Sequence, residues 1–323
     1  PDRRMTMFLL QPAYKDYLWG GSRLRTEYGK NSPNTIIAES WELSVHPDGR
    51  SVIASGADAG RTLADYLAEH PKAAGGAKGE QFPVLAKLID AQRPLSVQVH
   101  PEDDYAYRKA GERGKTELWH ILEAEPDAYL YLGVNRTVSK EEFTDRIADN
   151  TVEEILKKVP VLPGESYYVP AGTLHAIGKD IVLFEVQETS NQTYRVYDYG
   201  RRDANGNLRP LHIADALAVA RLSPSSAVPP GHSAWKTVAG GTERTIVQCP
   251  FFTLCEIQLA GTMEIDAPCD SFVHILAAAG NMRAENMEEG SLSLEKGSGL
   301  LLLAGEKACL TGNARLLLTS RGK

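Results

Sequence analysis

Cysteine is scarce. Four occur in 323 residues, Cys249, Cys255, Cys269 and Cys309, all in the last quarter and none in C-x-x-C spacing. This excludes a disulfide framework and a paired-cysteine zinc site, and fits small buried thiols in a reducing cytoplasm. Long hydrophobic runs are also lacking. The run Leu300-Leu-Leu-Leu303 is short, and no segment reaches the length that spans a bilayer. The start, Pro1-Asp-Arg-Arg-Met5-Thr-Met7-Phe-Leu-Leu10, is basic, but its apolar stretch is far too short for a secretory signal; Met5 or Met7 is a candidate natural start. Excess positive charge is absent. The net charge is −7, with both signs interspersed. No basic footprint for nucleic acid and no polybasic patch for a membrane is therefore expected. What remains is a cytoplasmic globular protein acting on a small molecule, as a monomer or small homo-oligomer. A hydrophobic content of 42% and this length predict two domains, or three small ones.

Against that background, Leu95-Ser-Val-Gln-Val-His-Pro101 stands out. Read as a strand, it places Ser96, Gln98 and His100 on one face and Leu95, Val97 and Val99 on the other. A buried strand rarely gives three alternate positions to polar groups unless they face a site. Glu117 follows in Gly114-Lys-Thr-Glu117, where Lys115 shares its strand face. His175 closes the run Gly164 to His175, in which Pro170-Ala-Gly172 is a turn. Gln98, His100, Glu117 and His175 together offer the nitrogen and oxygen donors that suit Zn²⁺, with Fe²⁺ or Mn²⁺ as other occupants. Singly each has a plainer reading, a solvated strand for Gln98 or a turn histidine for His175. His46, in Leu43-Ser-Val-His-Pro47, lacks such a partner and reads as a turn histidine. His120, His212, His232 and His274 also lack ligand-spaced partners and default to structural roles.

Along the chain, strand-like segments dominate: 82–90, 95–100, 115–122, 166–169, 181–188 and 193–199, then short strands from 235 to 323. Helices are expected at about 61–70, 139–158 and 210–222. The second opens on a Ser139-Lys-Glu-Glu142 capping box. Residues 75–79 read as a flexible connection and 223–231 as a Pro- and Ser-rich linker. The segment Thr193-Tyr-Arg195 to Arg201-Arg202 is rich in arginine and aromatics in an acidic chain, which suits an anionic substrate.

The frame G-x5-P-x-G-x2-H from Gly164 to His175 resembles the second motif of the cupin barrel. The same offsets counted from Gly297 give Leu303, Gly305 and Ala308, keeping both glycines but not the proline or histidine. The fold expected is mainly β: two cupin barrels with a few added helices. Residues 1–230 would be a catalytic metal-binding domain, and 231–323 a degenerate barrel without metal. Trp19-Gly-Gly21, Ala38-Glu-Ser-Trp41, Pro83 to Pro101, Gly114 to Glu117, Val169 to Gly178 and Gln187 to Arg201 together resemble the type I mannose-6-phosphate isomerases in their short bacterial form. By that resemblance Gln98, His100, Glu117 and His175 are zinc ligands, one ion per chain. Lys115 and Arg195 take catalytic or charge-stabilising roles. Ser96 and Arg201 take substrate-binding roles toward the phosphate, with Gly200 allowing the chain to bend so that Arg201 can return toward Arg195.

The chemistry implied is aldose–ketose isomerisation of mannose 6-phosphate and fructose 6-phosphate through a cis-enediol, with the metal as Lewis acid. Lys115, Glu39 and a water on the metal are the candidates for the base, with Lys115 favoured. Two rivals stand beside this reading. One is a metal-dependent cupin oxygenase, against which Gln98 and the arginine-bearing strand argue. The other is a non-catalytic sugar-phosphate-binding cupin, against which the intact Lys115, Glu117 and Arg195 argue.

Overall fold

The computed structural model describes residues 7–76, 80–203, 205–225, 231–286 and 290–323. The candidate start at Met5, most of the connection at 75–79 and most of the linker at 223–231 lie outside the described residues.

Three antiparallel sheets organise the chain. A six-stranded sheet runs Ser166–Val169, Glu117–Ala124, Ile181–Glu188, Val84–Ala91, Glu39–Leu43, Ala13–Lys15. A five-stranded sheet runs Tyr194–Tyr197, Val97–Val99, His175–Ile177, Tyr129–Val134, Leu156–Pro160. A nine-stranded sheet holds the C-terminal strands, among them Phe252–Asp266, Val273–Asn286 and Lys307–Arg321. It also takes Met7–Gln11 and Val52–Ile53, because Met7–Gln11 pairs with Gly299–Leu302. The two ends of the chain thus share one sheet, and hydrogen bonding does not divide at residue 230.

The six-stranded sheet is the middle layer. Val84, Ala86 and Leu88 pack with Leu118, Leu122, Val182, Phe184 and Val186 against Phe252, Leu254, Phe272 and Leu317 of the nine-stranded sheet. The alternate residues Ile89, Trp119, Ile121, Ile181 and Leu183 face Leu130, Leu132 and Ile177 of the five-stranded sheet. A strand buried on both faces reads as a nearly unbroken apolar run, as Val84–Ala91 and Ile181–Glu188 do. The outer face of the five-stranded sheet is covered by Phe143 and Ile147 of the helix Lys140–Ala148 and Ala216 of the helix Ile213–Val219.

Ser139 accepts a hydrogen bond from the Glu142 amide at 3.0 Å, so the expected cap forms. The helix expected over 139–158 is shorter, however. It stops at Ala148, Asn150 adopts φ 58°, a 3-10 turn spans Val152–Ile155, and Leu156–Pro160 becomes an edge strand. A helix not expected, Asp103–Ala110, follows the metal strand.

In the two glycine frames, Gly164 and Gly297 have φ 89° and 92°, and Gly172 and Gly305 have φ 85° and 81°. Ala308, at the position matching His175, is buried among Ile265, Met263, Leu310 and other apolar side chains.

Candidate active site

Register builds the site. In the five-stranded sheet Gln98 lies opposite His175 on one side and Arg195 on the other. Residues directly opposite in antiparallel strands project to the same face. One row, Arg195–Gln98–His175, therefore faces the interior. In the six-stranded sheet Trp41, Lys87, Glu185 and Trp119 are opposite one another in turn, and Glu117 sits two residues from Trp119 on the same face. The two rows look into one cavity of about 290 Å³, close to the lower bound for small-molecule sites of about 300 Å³.

Donor atoms of His100, Glu117 and His175 all lie within 4.8 Å of one another, and all three residues are buried. Glu117 places Oε2 3.4 Å from His100 Nε2 and Oε1 3.3 Å from His175 Nε2. Both carboxylate oxygens are buried without a hydrogen bond of acceptable geometry, although Lys115 Nζ is 2.8 Å from Oε2. The far nitrogens settle the tautomers. His100 Nδ1 is 2.8 Å from the Gln192 carbonyl and His175 Nδ1 is 2.8 Å from the Thr173 carbonyl. A carbonyl only accepts, so each Nδ1 carries the hydrogen and each Nε2 turns a lone pair inward. Burial, and next the Lys115 charge, pushes the His100 imidazole down to about 3. Burial also lowers His175. Both are neutral at pH 7, as metal ligands must be. Burial alone would raise the Glu117 carboxyl, but the Lys115 charge beside it holds it well below the usual carboxylate range. Gln98 Nε2 lies 3.4 Å from His175 Nε2. Turning that amide over aims its oxygen at the same point. This donor set fits a divalent cation.

Two turns hold the ligands. Gly114 passes so close beneath the next loop that a Cβ there would lie 2.6 Å from the Asp103 amide nitrogen and 2.7 Å from the Pro101 oxygen. That approach lets Lys115 N donate to the Pro101 carbonyl at 3.0 Å, just after His100. Gly172, with φ 85°, donates to the His100 carbonyl at 2.8 Å. The two histidines are thereby tied through backbone as well as through the site.

Each predicted residue has a place. Lys115 lies just before its strand rather than in it, buried, with Nζ 3.2 Å from His100 Nε2. Arg195 Nε donates to Ser96 Oγ at 3.2 Å, and Ser96 Oγ donates to Gln98 Oε1 at 3.4 Å. The arginine is thus linked to a ligand through Ser96. Ser96, Gln98, Lys115, His175, Arg195 and Glu39 line the cavity. Arg201 does not. The chain does bend at Tyr199 and Gly200, with φ 56° and 64°, but the bend carries Arg201 onto Asp198 and the Pro94 carbonyl. Its guanidinium is taken up by these protein partners. His46 is the turn histidine expected, its Nδ1 accepting from the Asp48 amide at 3.1 Å.

Three charged cavity residues were missed by sequence reasoning: Lys87, Glu185 and Arg209. Lys87 Nζ lies 3.5 Å from Glu39 and 3.3 Å from Glu185. The Trp41 and Trp119 indoles donate to those carboxylates at 2.7 and 2.9 Å. Burial, and next the Glu117 charge, raises the Glu185 carboxyl. The signal was present: a lysine within Val84–Ala91 and a glutamate within Ile181–Glu188 each interrupt an apolar buried run. Three buried carboxylates (Glu39, Glu117, Glu185) face two buried ammonium groups (Lys87, Lys115) with the Arg195 and Arg209 guanidiniums beside them, so a divalent ion adds to a positive balance suited to an anion.

Layered antiparallel sheets with an inward His–Glu–His set define a cupin-type fold with a candidate metal site. Residues 7–157 match the model of the phosphomannose isomerase type I catalytic domain. The mannose-6-phosphate isomerase of Streptococcus mutans is 39% identical over 92% of both chains, and that of Bacillus subtilis is 38% identical over 79% of this chain and 80% of the other. The chain belongs to the type I phosphomannose isomerase family. A crystal structure of the Bacillus subtilis mannose 6-phosphate isomerase superposes with TM-score 0.90 at 35% identity, covering 97% of this chain and 99% of that one. The apo phosphomannose isomerase of Salmonella typhimurium, at 17% identity and TM-score 0.76 over 98% and 99%, shares the fold. The family is metal-dependent. Among the described residues no helix is long and apolar enough to cross a membrane.

Proposed function

We propose that the chain interconverts mannose 6-phosphate and fructose 6-phosphate by moving a proton between C1 and C2 of the open-chain sugar. The observation that carries this is the pair of facing rows, Gln98, His175 and Arg195 on one sheet and Glu117 with a buried ammonium–carboxylate chain on the other. Gln98, His100, Glu117 and His175 would hold the ion, zinc by the chemistry of its donors. When bound, it supplies Lewis-acid charge beside the C1 and C2 oxygens. Arg195, fixed by Ser96, adds a second cation for the enediolate. Ser96 is retained as a substrate-binding residue, although its bonds to Gln98 and Arg195 favour the metal end over the phosphate expected of it. Lys115 is the proton carrier favoured by position, since its Nζ lies at the ligand cluster and lines the cavity. The Lys87–Glu39–Glu185 chain fixes charge on the opposite wall. The reading also takes the nine-stranded sheet as a second barrel without metal, supported by the matched glycine conformations and the apolar surroundings of Ala308. Free cysteines, one of them buried, suit a cytoplasmic enzyme.

A coupled assay for fructose 6-phosphate formation from mannose 6-phosphate, run beside an oxygen electrode, tests this. Isomerisation without oxygen uptake is expected. Oxygen consumption would favour the oxygenase reading, and binding without turnover the non-catalytic one.

A further inference from the structure

Beside the cavity, two arginines share one carboxylate. Asp198 takes both Arg201 and Arg209. It is nearly buried and, although burial alone would raise it, the hydrogen bonds from Arg209 and Arg201 hold its carboxyl below the usual range. The two arginines are used differently. In Arg201, Nε and Nη2 bond Asp198, and Nη1 donates to the Pro94 carbonyl at 2.6 Å. All three nitrogens are occupied. Arg209 gives Asp198 only Nε and Nη2, at 2.7 and 2.6 Å. Among the described residues its Nη1 has no hydrogen-bond partner, and Arg209 lines the cavity where Arg201 does not.

We propose that Arg209, aimed by Asp198 as its positioning residue, is the cation that selects the phosphate group of the substrate; this rests on the isomerase reading. Arg195 is beside it: Arg195 Nη1 donates to the carbonyl of Pro210, the residue after Arg209, at 3.1 Å. Burial, and next the Arg209 charge, pushes the Arg195 guanidinium below its usual range. Two guanidinium groups facing one cavity repel each other, and a substrate that sets its enediolate oxygens against Arg195 and its phosphate against Arg209 relieves the repulsion. The bidentate grip of Asp198 fixes the Arg209 plane, so little side-chain freedom is lost when the anion binds.

The test is calorimetric titration of the metal-loaded protein with inorganic phosphate, with steady-state kinetics on mannose 6-phosphate alongside. Arg209→Gln should weaken phosphate and raise KM by about tenfold or more, the loss of one charge-assisted contact, with kcat changed far less. Arg209→Lys should recover part of the affinity. Arg201→Gln should bind phosphate nearly as the wild type does. Unchanged phosphate affinity and KM in Arg209→Gln, in an enzyme that isomerises, would overturn this assignment alone. So would an equal loss in Arg201→Gln. Phosphate bound through Arg209 by a protein with no isomerase turnover would support the anion site and sink the isomerase reading instead.

Discussion

Replacing Lys115 with methionine separates catalysis from metal holding, because the two should move in opposite directions. Lys115 Nζ lies 2.8 Å from Glu117 Oε2 and 3.2 Å from His100 Nε2, two of the metal-facing atoms. An ammonium there repels a cation held by those atoms. Unit charges at 4 Å and an effective dielectric near 20 interact by about 4 kcal/mol, so a divalent ion feels about 8. If relaxation and counter-charges leave only a sixth of this, about 1.4 kcal/mol remains, a tenfold change in Kd. Removing the ammonium also frees the Glu117 carboxylate. Metal should therefore bind about tenfold tighter or more in Lys115→Met, while kcat falls by roughly 10²-fold or more, as loss of a proton carrier does. Competition against a chelating metal buffer reads the first, and the coupled assay at saturating substrate and metal reads the second. A metal-replete variant with near-normal kcat would refute the catalytic role. Weaker metal binding would refute the electrostatic argument.

Arg195→Ala should lower kcat much more than it raises KM, because the contact it makes strengthens with enediolate charge; a pure KM effect in steady-state kinetics would move Arg195 to substrate binding. A second expectation concerns acid stability. His274 is buried in the nine-stranded sheet with neither ring nitrogen hydrogen-bonded, and burial, then the Lys30 charge, pushes it down to about 3. Between its unfolded value near 6.5 and that folded value only the unfolded chain takes the proton, so its neutral burial is favoured above 6.5 and stability is lost as pH falls. From pH 7 to 5 this costs about 2 kcal/mol. His274→Leu should lose correspondingly less over that range in urea titrations of the metal-free protein, where ligand release plays no part; equal losses in the two proteins would sink the argument.

Much of the site was legible because alternation is a strong signal. Ser96, Gln98 and His100 share one strand face, and His175 came with its turn, so the four positions pointed to a site jointly though not singly. Lys115 and Arg195 were named from the family pattern, and both line the cavity. The arginine strand was harder. Counting along Arg195 to Arg201 shows a bend at Gly200 but not where the bend points, since that depends on Asp198 and the Pro94 carbonyl. Arg209 lay outside any motif, and its pairing with Asp198 is a contact that only the fold creates. Lys87 and Glu185 hid in apolar runs, whose charges become meaningful only once cross-strand register pairs them. The helix at Asp103–Ala110 was signalled by acidic residues in its first turn, basic ones in its last and Gly111 at φ 70° after it. The end of the helix after Ala148 was not, because the strand Leu156–Pro160 is imposed by pairing with Tyr129–Val134. Sharing of the nine-stranded sheet by both chain ends is likewise a long-range contact that no local pattern carries.

The central claim is that His175 holds a metal on which isomerisation depends. Elemental analysis and the mannose 6-phosphate assay, run on the same preparations of wild type and His175→Ala, test it most directly. One divalent ion per chain with turnover in the wild type is expected, both largely lost in the variant and both lost from the wild type on chelation. A His175→Ala protein that keeps stoichiometric metal, or a wild type that isomerises after its metal is removed, would contradict the account.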